Sequence, residues 1–406
     1  MRIVLLTREY PPETVWGGCS IVNYNLAKAL AIKGHEVHVI CQGVGREYDC
    51  KEEGVYVHRV GTDTRSYNVM ARLKYMLASH QKLTKLYEEN NIDIVQADYW
   101  SGEALICTLR KKSILIIKTQ TGITEVISAK NFPSLKNYIG LLGLSWVAKL
   151  AAKSADRFIS ESKLDYLEVI NHLHVDSEKV DIIYNGIDIS NYHPVELSMV
   201  PKYRSKFGLP IGNPIVLSVG RIEKLKGSDI LTESIPLILR KTPDVKFVFV
   251  GRDTETAPEG QSFKAWIEAK ARKEGFQDNL IFKGFISPSE LPKLYSACDL
   301  FVLSSRKESF GLVVVEAMAC GMPIVSTSVG IVPELTKEKP MGIETVSVEN
   351  HIELANAILK MLMLTTEEKV KIARENREMV ETKFSFDSWT DKIIDVYENA
   401  LKNKSA

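Results

Sequence analysis

Two acidic residues and a glycine stand close together in the last third of the chain, in a pattern that could bind an anion carrying hydroxyl groups. Glu308 and Glu316 flank Gly311, which precedes an apolar segment with a helical pattern. Peptide N–H groups at Gly311 and Leu312 would favour an anion, because the first N–H groups of a helix lack intrahelical partners and the helix dipole adds to their charge. If the segment is wholly helical, the two carboxylates lie about 12 Å apart. Each could then accept hydroxyls at one end of a ligand that contains a diphosphate.

A second segment supplies cations that suit the same kind of ligand. Arg221 follows Gly220, and Lys226 precedes Gly227. Glycine permits close backbone approach, arginine offers a planar fork of donors, and lysine adds a mobile point charge. The segment is equally consistent with a solvated loop that carries two ordinary surface cations.

Both segments follow predicted strands. Short β-branched runs alternate with amphipathic segments along the chain, which indicates an α/β protein with parallel sheets covered on both faces. Two series of strands predict two doubly wound, Rossmann-like domains, since a barrel of eight units needs only about 250 residues. The predicted strands are 3–6, 37–40, 56–60, 92–97, 114–119, 157–162 and 179–184 in the first series, and 215–220, 245–251, 280–283, 300–305, 324–328 and 345–347 in the second.

The predicted boundary lies where prolines accumulate after Tyr192 and strand patterning stops. We therefore predict domains over 1–193 and 194–385, followed by a helix near the C-terminus whose apolar residues recur at helical spacing. Ligands of open α/β sheets bind beyond the carboxyl ends of the strands. Two such domains facing each other would form a cleft, and the residues just after the strands would line it.

Composition excludes several other classes of protein. The 406 residues are 45% hydrophobic and 25% charged, as in an ordinary globular protein. A net charge of +1 gives no global attraction to nucleic acid, so we expect no nucleic-acid partner. Six cysteines without a Cys-x-x-Cys pair indicate neither a metal site nor a disulfide framework. The N-terminal apolar run is too short for a signal peptide, and 137–148 is too short to span a bilayer, so we predict a cytoplasmic protein.

The motifs taken together resemble one known family. The chain is similar to the retaining nucleotide-sugar glycosyltransferases of the GT-B fold, glycosyltransferase family 4, the group that includes glycogen synthases and sucrose-phosphate synthases. The resemblance covers essentially the whole chain and implies that the helix over 386–406 crosses back onto the first domain. The matching motifs are Tyr10-Pro11-Pro12…Gly17-Gly18, Asn185-Gly186-Ile187-Asp188, Gly220-Arg221…Lys226-Gly227, Phe282-Lys283-Gly284-Phe285-Ile286, Glu308-Ser-Phe-Gly…Glu316-Ala-Met-Ala-Cys-Gly-Met-Pro and Val332-Pro333-Glu334.

The resemblance implies a catalytic set around the diphosphate. Arg221 and Lys226 would bind the donor diphosphate, helped by the amides of Gly311 and Leu312. Glu308 would bind hydroxyls of the transferred sugar. No Asp-x-Asp sequence follows a strand in the second domain, so we predict a metal-independent reaction with no cofactor beyond the nucleotide sugar as co-substrate.

The resemblance also implies contacts to the rest of the donor. Glu316 would hold the ribose hydroxyls, and the backbone around Phe285 and Ile286 would meet the base. Gly17 and Gly18 would let backbone approach the donor phosphate or the acceptor from the first domain, although such a pair alone would be read as a flexible turn. UDP and glucose are the expected nucleotide and sugar because they are frequent among relatives.

One departure concerns the acceptor side. Many relatives carry histidine after the strands that end near 97 and 119, whereas this chain has Asp98 at the first place and Gln120 and Thr121 at the second. These three residues are the candidates for acceptor binding, with Asp98 the candidate base. The alternative for Asp98 is a helix N-cap after a strand.

Several alternatives remain open from the sequence. A nucleotide-sugar epimerase, a glycan phosphorylase or a non-enzymatic nucleotide-sugar sensor could use the same scaffold. The acceptor could be a sugar, another small molecule or a lipid-linked sugar. A basic amphipathic stretch over 130–153 could dock at the inner face of a membrane, but a helix facing the protein core is the favoured interpretation.

Overall fold

The computed structural model describes residues 1–14, 17–61, 69–99, 104–105, 112–120, 149–338 and 340–405. The chain forms two compact units: unit 1 comprises Met1–Gly186 and Phe386–Ala406, and unit 2 comprises Ile187–Ser385. The boundary therefore lies at 186/187 and not at the predicted 193/194. The reason is that Arg377 of unit 2 donates hydrogen bonds to the carbonyls of Ile189 and Tyr192.

Unit 1 is built on an eight-stranded sheet with the order β3-β4-β2-β1-β5-β6-β7-β8. Neighbouring strands are parallel except β3 and β4. The strand order reverses between β1 and β5, so the carboxyl ends of these two strands form a topological switch point. The strands are β1 Arg2–Leu6, β2 Glu36–Gln42, β3 Tyr48–Glu52, β4 Val55–Val60, β5 Ile94–Asp98, β6 Ile114–Thr119, β7 Arg157–Ser160 and β8 Val180–Ile182.

The edge strand β3 carries no sequence pattern that predicts it. Its residues are mostly polar and sit at the sheet edge, so the strand lacks the apolar run by which the others were predicted. It forms a hairpin with β4, in which Glu52 pairs with Val55. The two turn residues, Glu53 and Gly54, both have positive φ, as a two-residue hairpin turn requires.

Unit 2 is built on a six-stranded parallel sheet with the order β11-β10-β9-β12-β13-β14. Its switch point lies between β9 and β12. All six strands were predicted, and the α/β fold with two Rossmann-like sheets is confirmed. The strands are β9 Ile215–Val219, β10 Lys246–Val250, β11 Leu280–Gly284, β12 Leu300–Leu303, β13 Ile324–Thr327 and β14 Ile343–Val346.

Helices cover both sheets. The last helix, α12, belongs to unit 1, where the buried Trp389 and Tyr397 anchor it and Lys33 at the end of α1 forms an ion pair with Asp391 at 2.6 Å. The helices are α1 Gly18–Ile32, α2 Val69–Glu89, α3 Lys163–Leu173, α4 Val200–Lys206, α5 Ser228–Leu239, α6 Phe263–Glu274, α7 Leu291–Ser296, α8 Leu312–Ala319, α9 Val332–Leu335, α10 His351–Leu362, α11 Thr366–Lys383 and α12 Phe386–Ser405.

Three sequence-based predictions can be compared only with the described residues. Among these, no helix is both long and apolar enough to cross a membrane. The cysteines in this part of the chain are free thiols, and Cys107 lies outside it. Most of the basic stretch over 130–153 also lies outside the described residues.

Candidate functional site

The loop between β9 and α5 carries both predicted cations. It ends at Gly227, which has φ +65° and whose Cβ, if it had one, would lie 1.8 Å from the carbonyl oxygen of Ser304. Only glycine fits so close to the chain that leaves β12. The Ser304 hydroxyl fixes this approach by donating to the carbonyl of Gly227 at 2.8 Å. The contact brings Lys226 next to the segment that contains Glu308.

Lys226 and Glu308 form an ion pair. The lysine Nζ lies 2.8 Å from both carboxylate oxygens, and the hydroxyl of Ser305 donates to Glu308 Oε1 at 2.7 Å. The two side chains are 23% and 12% exposed, so the pair remains accessible from solvent. The resemblance assigned these residues to the diphosphate and to the sugar, and the structure brings the two positions into direct contact.

Arg221 is the more open of the two cations. Its side chain is 48% exposed, and its Nη2 lies 3.0 Å from Oε1 of Glu223. Glu223 itself is buried, and the sequence analysis gave it no role. The Arg221 guanidinium therefore lies partly exposed at the switch point of the sheet and forms an ion pair with the buried carboxylate of Glu223.

The helix α8 begins where the sequence predicts. Gly311 is its N-cap, with φ +90° and no side-chain cap, and Leu312 is its first residue. The loop before α8 packs closely against Gly330. A Cβ at Gly330 would lie 2.2 Å from the carbonyl oxygen of Phe310, so only glycine fits there. The N–H groups at a helix start lack intrahelical acceptors, so this end of α8 offers peptide donors and a favourable dipole to an anion.

Glu316 is almost fully buried in the second turn of α8, at 7% exposure. Tyr295 donates to its Oε2 at 2.9 Å. Burial raises the pKa of Glu316 to about 7, against the opposing effect of hydrogen bonds from Tyr295 and Tyr192. The helix starts only at Leu312, so the segment from Glu308 is not wholly helical, which was the condition for the predicted separation of about 12 Å.

The end of β11 offers an aromatic face. Phe285 is 52% exposed, and the guanidinium of Arg252 lies 5.5 Å from the centre of its ring. Ile286 beside it is partly buried. A flat ring flanked by a cation suits a stacked nucleobase. The sequence analysis missed Arg252, although Gly251-Arg252 after β10 repeats the pattern of Gly220-Arg221 after β9.

In unit 1, the two predicted glycines start α1. Gly17 is the N-cap in extended conformation, and Gly18 is the first helical residue. A Cβ at either position would meet nothing within 4 Å in this structure. Among the described residues, therefore, no neighbour requires glycine at either position.

Asp98 ends β5 at the switch point of unit 1 and belongs to a polar chain. Asn23 donates from Nδ2 to Oδ2 of Asp98 at 2.9 Å and to the hydroxyl of Thr7 at 2.7 Å. Gln120 donates to Oδ1 of Asn23 at 2.8 Å. Desolvation raises the pKa of Asp98 to about 7, although Thr7, Lys118 and Asn23 oppose it.

The structure thus brings Asp98 and Gln120 together through Asn23, which the sequence analysis did not select. Thr121 lies outside the described residues. Asp98 is the last residue of β5 and accepts a hydrogen bond from Asn23 of α1.

A buried ion pair near these polar side chains was also not predicted from the sequence. Lys118 in β6 is fully buried, lies 3.3 Å from Glu161, and donates to Oδ1 of Asn185 at 2.9 Å. Its Nζ lies 5.3 Å from the centre of the Trp389 ring. The signal was a lysine that interrupts the apolar run Ile114–Thr119.

Two doubly wound sheets, each with polar residues at its switch point, are the architecture of the GT-B glycosyltransferases, and the second unit adds cations beside a helix start. The sequence profiles agree, and the chain belongs to the glycosyltransferases: the model of glycosyl transferases group 1 matches residues 199–400, and that of Glycosyltransferase Family 4 matches residues 16–191.

Individual proteins are similar over nearly the full length. The chain is 26% identical over 407 residues to a D-inositol 3-phosphate glycosyltransferase of Segniliparus rotundus, covering 95% of this chain and 85% of that protein. Sucrose-phosphate synthase from Thermosynechococcus elongatus superposes with a TM-score of 0.82 at 20% identity and 99% coverage of both chains. Anabaena HepE, solved in complex with UDP and glucose, gives a TM-score of 0.76 at 20% identity, covering 98% of this chain and 99% of that one.

Proposed function

We propose that the chain transfers a hexose from a nucleoside diphosphate sugar to an acceptor hydroxyl, with retention of configuration and without a metal. The observation that carries the proposal is the cluster of Arg221, Lys226 and Glu308 beside the start of α8. It combines cations and peptide donors for a diphosphate with a carboxylate for sugar hydroxyls.

The proposed chemistry follows from where charge develops. When the bond between the sugar and the nucleotide breaks, the sugar ring becomes positive and the diphosphate gains negative charge. Arg221, Lys226 and the amides of Gly311 and Leu312 would stabilise that leaving group. Preorganised donors of this kind contribute roughly 3–4 kcal/mol each in comparable sites, which supports a reaction that needs no metal.

Binding of the donor would open the Lys226–Glu308 pair. The lysine would turn to the diphosphate, and Glu308, still held by Ser305, would accept hydroxyls of the sugar. Retaining glycosidases usually form a covalent intermediate on a free carboxylate that lies about 5–5.5 Å from a second carboxyl group. Because Glu308 is engaged in binding, we propose that the acceptor attacks from the same face that the diphosphate leaves.

The remaining donor contacts would lie on β11 and α8. Phe285 would stack on the base, and Glu316 would accept ribose hydroxyls. The proposed first donor is UDP-glucose, and the complex of HepE with UDP and glucose supports that choice.

On the acceptor side we propose Asp98 and Gln120. A carboxyl group with a pKa of about 7 can accept a proton near neutral pH, and Asn23 holds both side chains in place. The acceptor would be a sugar, another small molecule or a lipid-linked sugar. If the assignment is right, Asp98→Asn raises the KM for the acceptor or lowers kcat while the donor Kd stays unchanged.

The test of the proposal starts with the donor. UDP-, GDP- and ADP-sugars are screened by thermal shift, since a ligand at a hundredfold excess over Kd stabilises by about 2.7 kcal/mol. The donor that stabilises is then supplied with candidate acceptors in the presence of EDTA, and the anomeric configuration of the product is read by NMR. Glu308→Ala should abolish transfer, whereas Glu274→Gln on the surface of α6 should not. An inverted product, or transfer that EDTA stops, would contradict the mechanism.

A further inference from the structure

Glu223 is a buried carboxyl group inside the diphosphate loop to which the proposed reaction assigns no role. It is 4% exposed, and Arg221 lies 3.0 Å from its Oε1. The main chain of Glu223 is fixed at the start of α5, because its N–H donates to the hydroxyl of Ser228 at 3.3 Å and its carbonyl accepts from the Ser228 N–H. The side chain therefore cannot leave the site easily when a ligand arrives.

The charges that face Glu223 are balanced. Arg221 and Lys226 come from its own loop, and Glu308 faces it from the segment after β12. Together with Glu223, these groups make two cations and two carboxylates.

Acidic side chains on the neighbouring elements are engaged elsewhere. Asp229 on α5 forms an ion pair with Arg306 at 2.8 Å. Asp253, in the loop after β10, accepts from Ser262 at 2.6 Å and from the Lys264 N–H at 2.9 Å. Neither changes the balance around Glu223.

A nucleotide sugar would disturb that balance. Its diphosphate carries two negative charges near neutral pH, because each phosphate is esterified and has one ionised oxygen. The two carboxylates of the site would then face a dianion in a partly desolvated loop, where like charges repel strongly. A proton on one carboxylate would offset one of the two arriving charges.

The contacts point to the carboxylate that accepts the proton. After Lys226 turns to the diphosphate, Glu308 keeps the hydrogen bond from Ser305 and would gain those of the sugar hydroxyls, whereas the cation beside Glu223 is Arg221, which the diphosphate would attract. Once Arg221 turns to the ligand, the buried Glu223 carboxylate loses that charge partner. Protonation would remove the repulsion and release Arg221 at the same time.

We propose that Glu223 takes up one proton from solvent when a nucleotide sugar binds, so that it is a positioning residue that couples donor binding to pH through Arg221. The inference rests on the proposed function, since it requires a diphosphate in this loop. Burial already raises the pKa of Glu223, against the lowering effect of Arg221 and Lys226. A bound diphosphate would raise this pKa further, because it adds negative charge and attracts Arg221 away from the carboxylate.

The experiment is calorimetric titration of the full chain with UDP-, GDP- and ADP-glucose. These ligands do not titrate near neutral pH, so any exchanged proton comes from the protein. Titrations in buffers of different ionisation enthalpy between pH 5.5 and 8.5 give the number of protons bound. We expect uptake that approaches one proton, and a Kd that rises up to tenfold per pH unit where uptake is complete. Glu223→Gln should bind the nucleotide sugar with one proton fewer than the wild type, whatever proton Glu316 exchanges, and with a correspondingly weaker pH dependence of Kd, while the matched surface variant Glu274→Gln should behave as the wild type.

The outcomes separate the two proposals. Binding by the wild type with no proton uptake, or unchanged uptake in Glu223→Gln, overturns the role of Glu223 and leaves the donor site intact. Failure of all three nucleotide sugars to bind overturns the proposed function, and this inference with it. If Glu223→Gln does not fold, the wild-type titrations across buffers still decide whether a proton is bound.

Discussion

The buried Glu316 should make the stability of unit 2 fall as pH rises, and Glu316→Gln should remove that dependence. Its pKa is raised from an ordinary 4.5 to about 7 in the folded chain. A group with a raised folded pKa contributes fully to stability below the unfolded pKa, and that contribution is lost as pH rises through the folded pKa. A difference of roughly 2.5 units corresponds to about 3 kcal/mol.

The measurement is calorimetric unfolding of wild type and Glu316→Gln between pH 4.5 and 8.5, followed in the transition assigned to unit 2. Glutamine keeps an oxygen for the Tyr295 hydroxyl, so it removes the titration with little loss of packing. The free energy of unfolding of the variant, relative to wild type, should increase by about 3 kcal/mol across this range. Taking the difference cancels the titration of other groups, such as Asp98 in unit 1. A difference that is flat within about 0.5 kcal/mol, or that decreases with pH, would refute the burial argument.

Three further substitutions test the site. Arg221→Ala should lower kcat/KM by at least about 3 kcal/mol, a factor above about a hundred, by loss of a leaving-group donor; steady-state kinetics showing a change within twofold would place the diphosphate elsewhere. Gly227→Ala should lower the Tm of unit 2 by about 4 °C or more, because a left-handed alanine costs about 1–2 kcal/mol before the clash with Ser304 is counted; an unchanged Tm would contradict the geometry. Phe285→Ala should weaken donor binding by about 1–3 kcal/mol with kcat nearly constant; an unchanged donor Kd in titration would exclude stacking on this ring.

The buried strands and their carboxyl ends could be predicted from the sequence because a strand that is buried on both faces of a sheet is a continuous apolar run. Gly220-Arg221 and Glu308 could be selected because each follows such a run. The edge strand β3 carries no such signal, since water covers one side and polar residues suffice there. The sequence near β3 contains one possible turn, Glu53-Gly54. This pair indicates a hairpin only when the structure shows that both residues have positive φ.

Partners distant in sequence could not be predicted from local patterns. Tyr295 and Glu316 meet because α7 and α8 pack in unit 2, and no spacing rule anticipates a hydrogen bond between them. Lys118 could have been noticed as a charge in a buried strand, because a buried charge requires partners. Sequence reasoning could not supply Glu161 and Asn185, which reach it from the ends of neighbouring strands in the sheet.

The two units differ in the availability of their cations, and this difference bears on which one can bind a diphosphate. At the switch point of unit 2, Arg221 is 48% exposed and Lys226 is 23% exposed. In the described part of unit 1, Lys118 near the corresponding edge is fully buried and already paired with Glu161 and Asn185. A diphosphate requires cations that can move or be reached, since withdrawing a buried partner leaves an uncompensated charge that costs several kcal/mol. Arg8, which follows β1 at the switch point of unit 1, is 14% exposed and pairs with Glu9 at 3.3 Å. The neutral amides of Asn23 and Gln120 at this edge offer donors and acceptors that suit hydroxyl groups. We therefore propose that the same topology provides the diphosphate site in unit 2 and the site for the acceptor hydroxyl in unit 1.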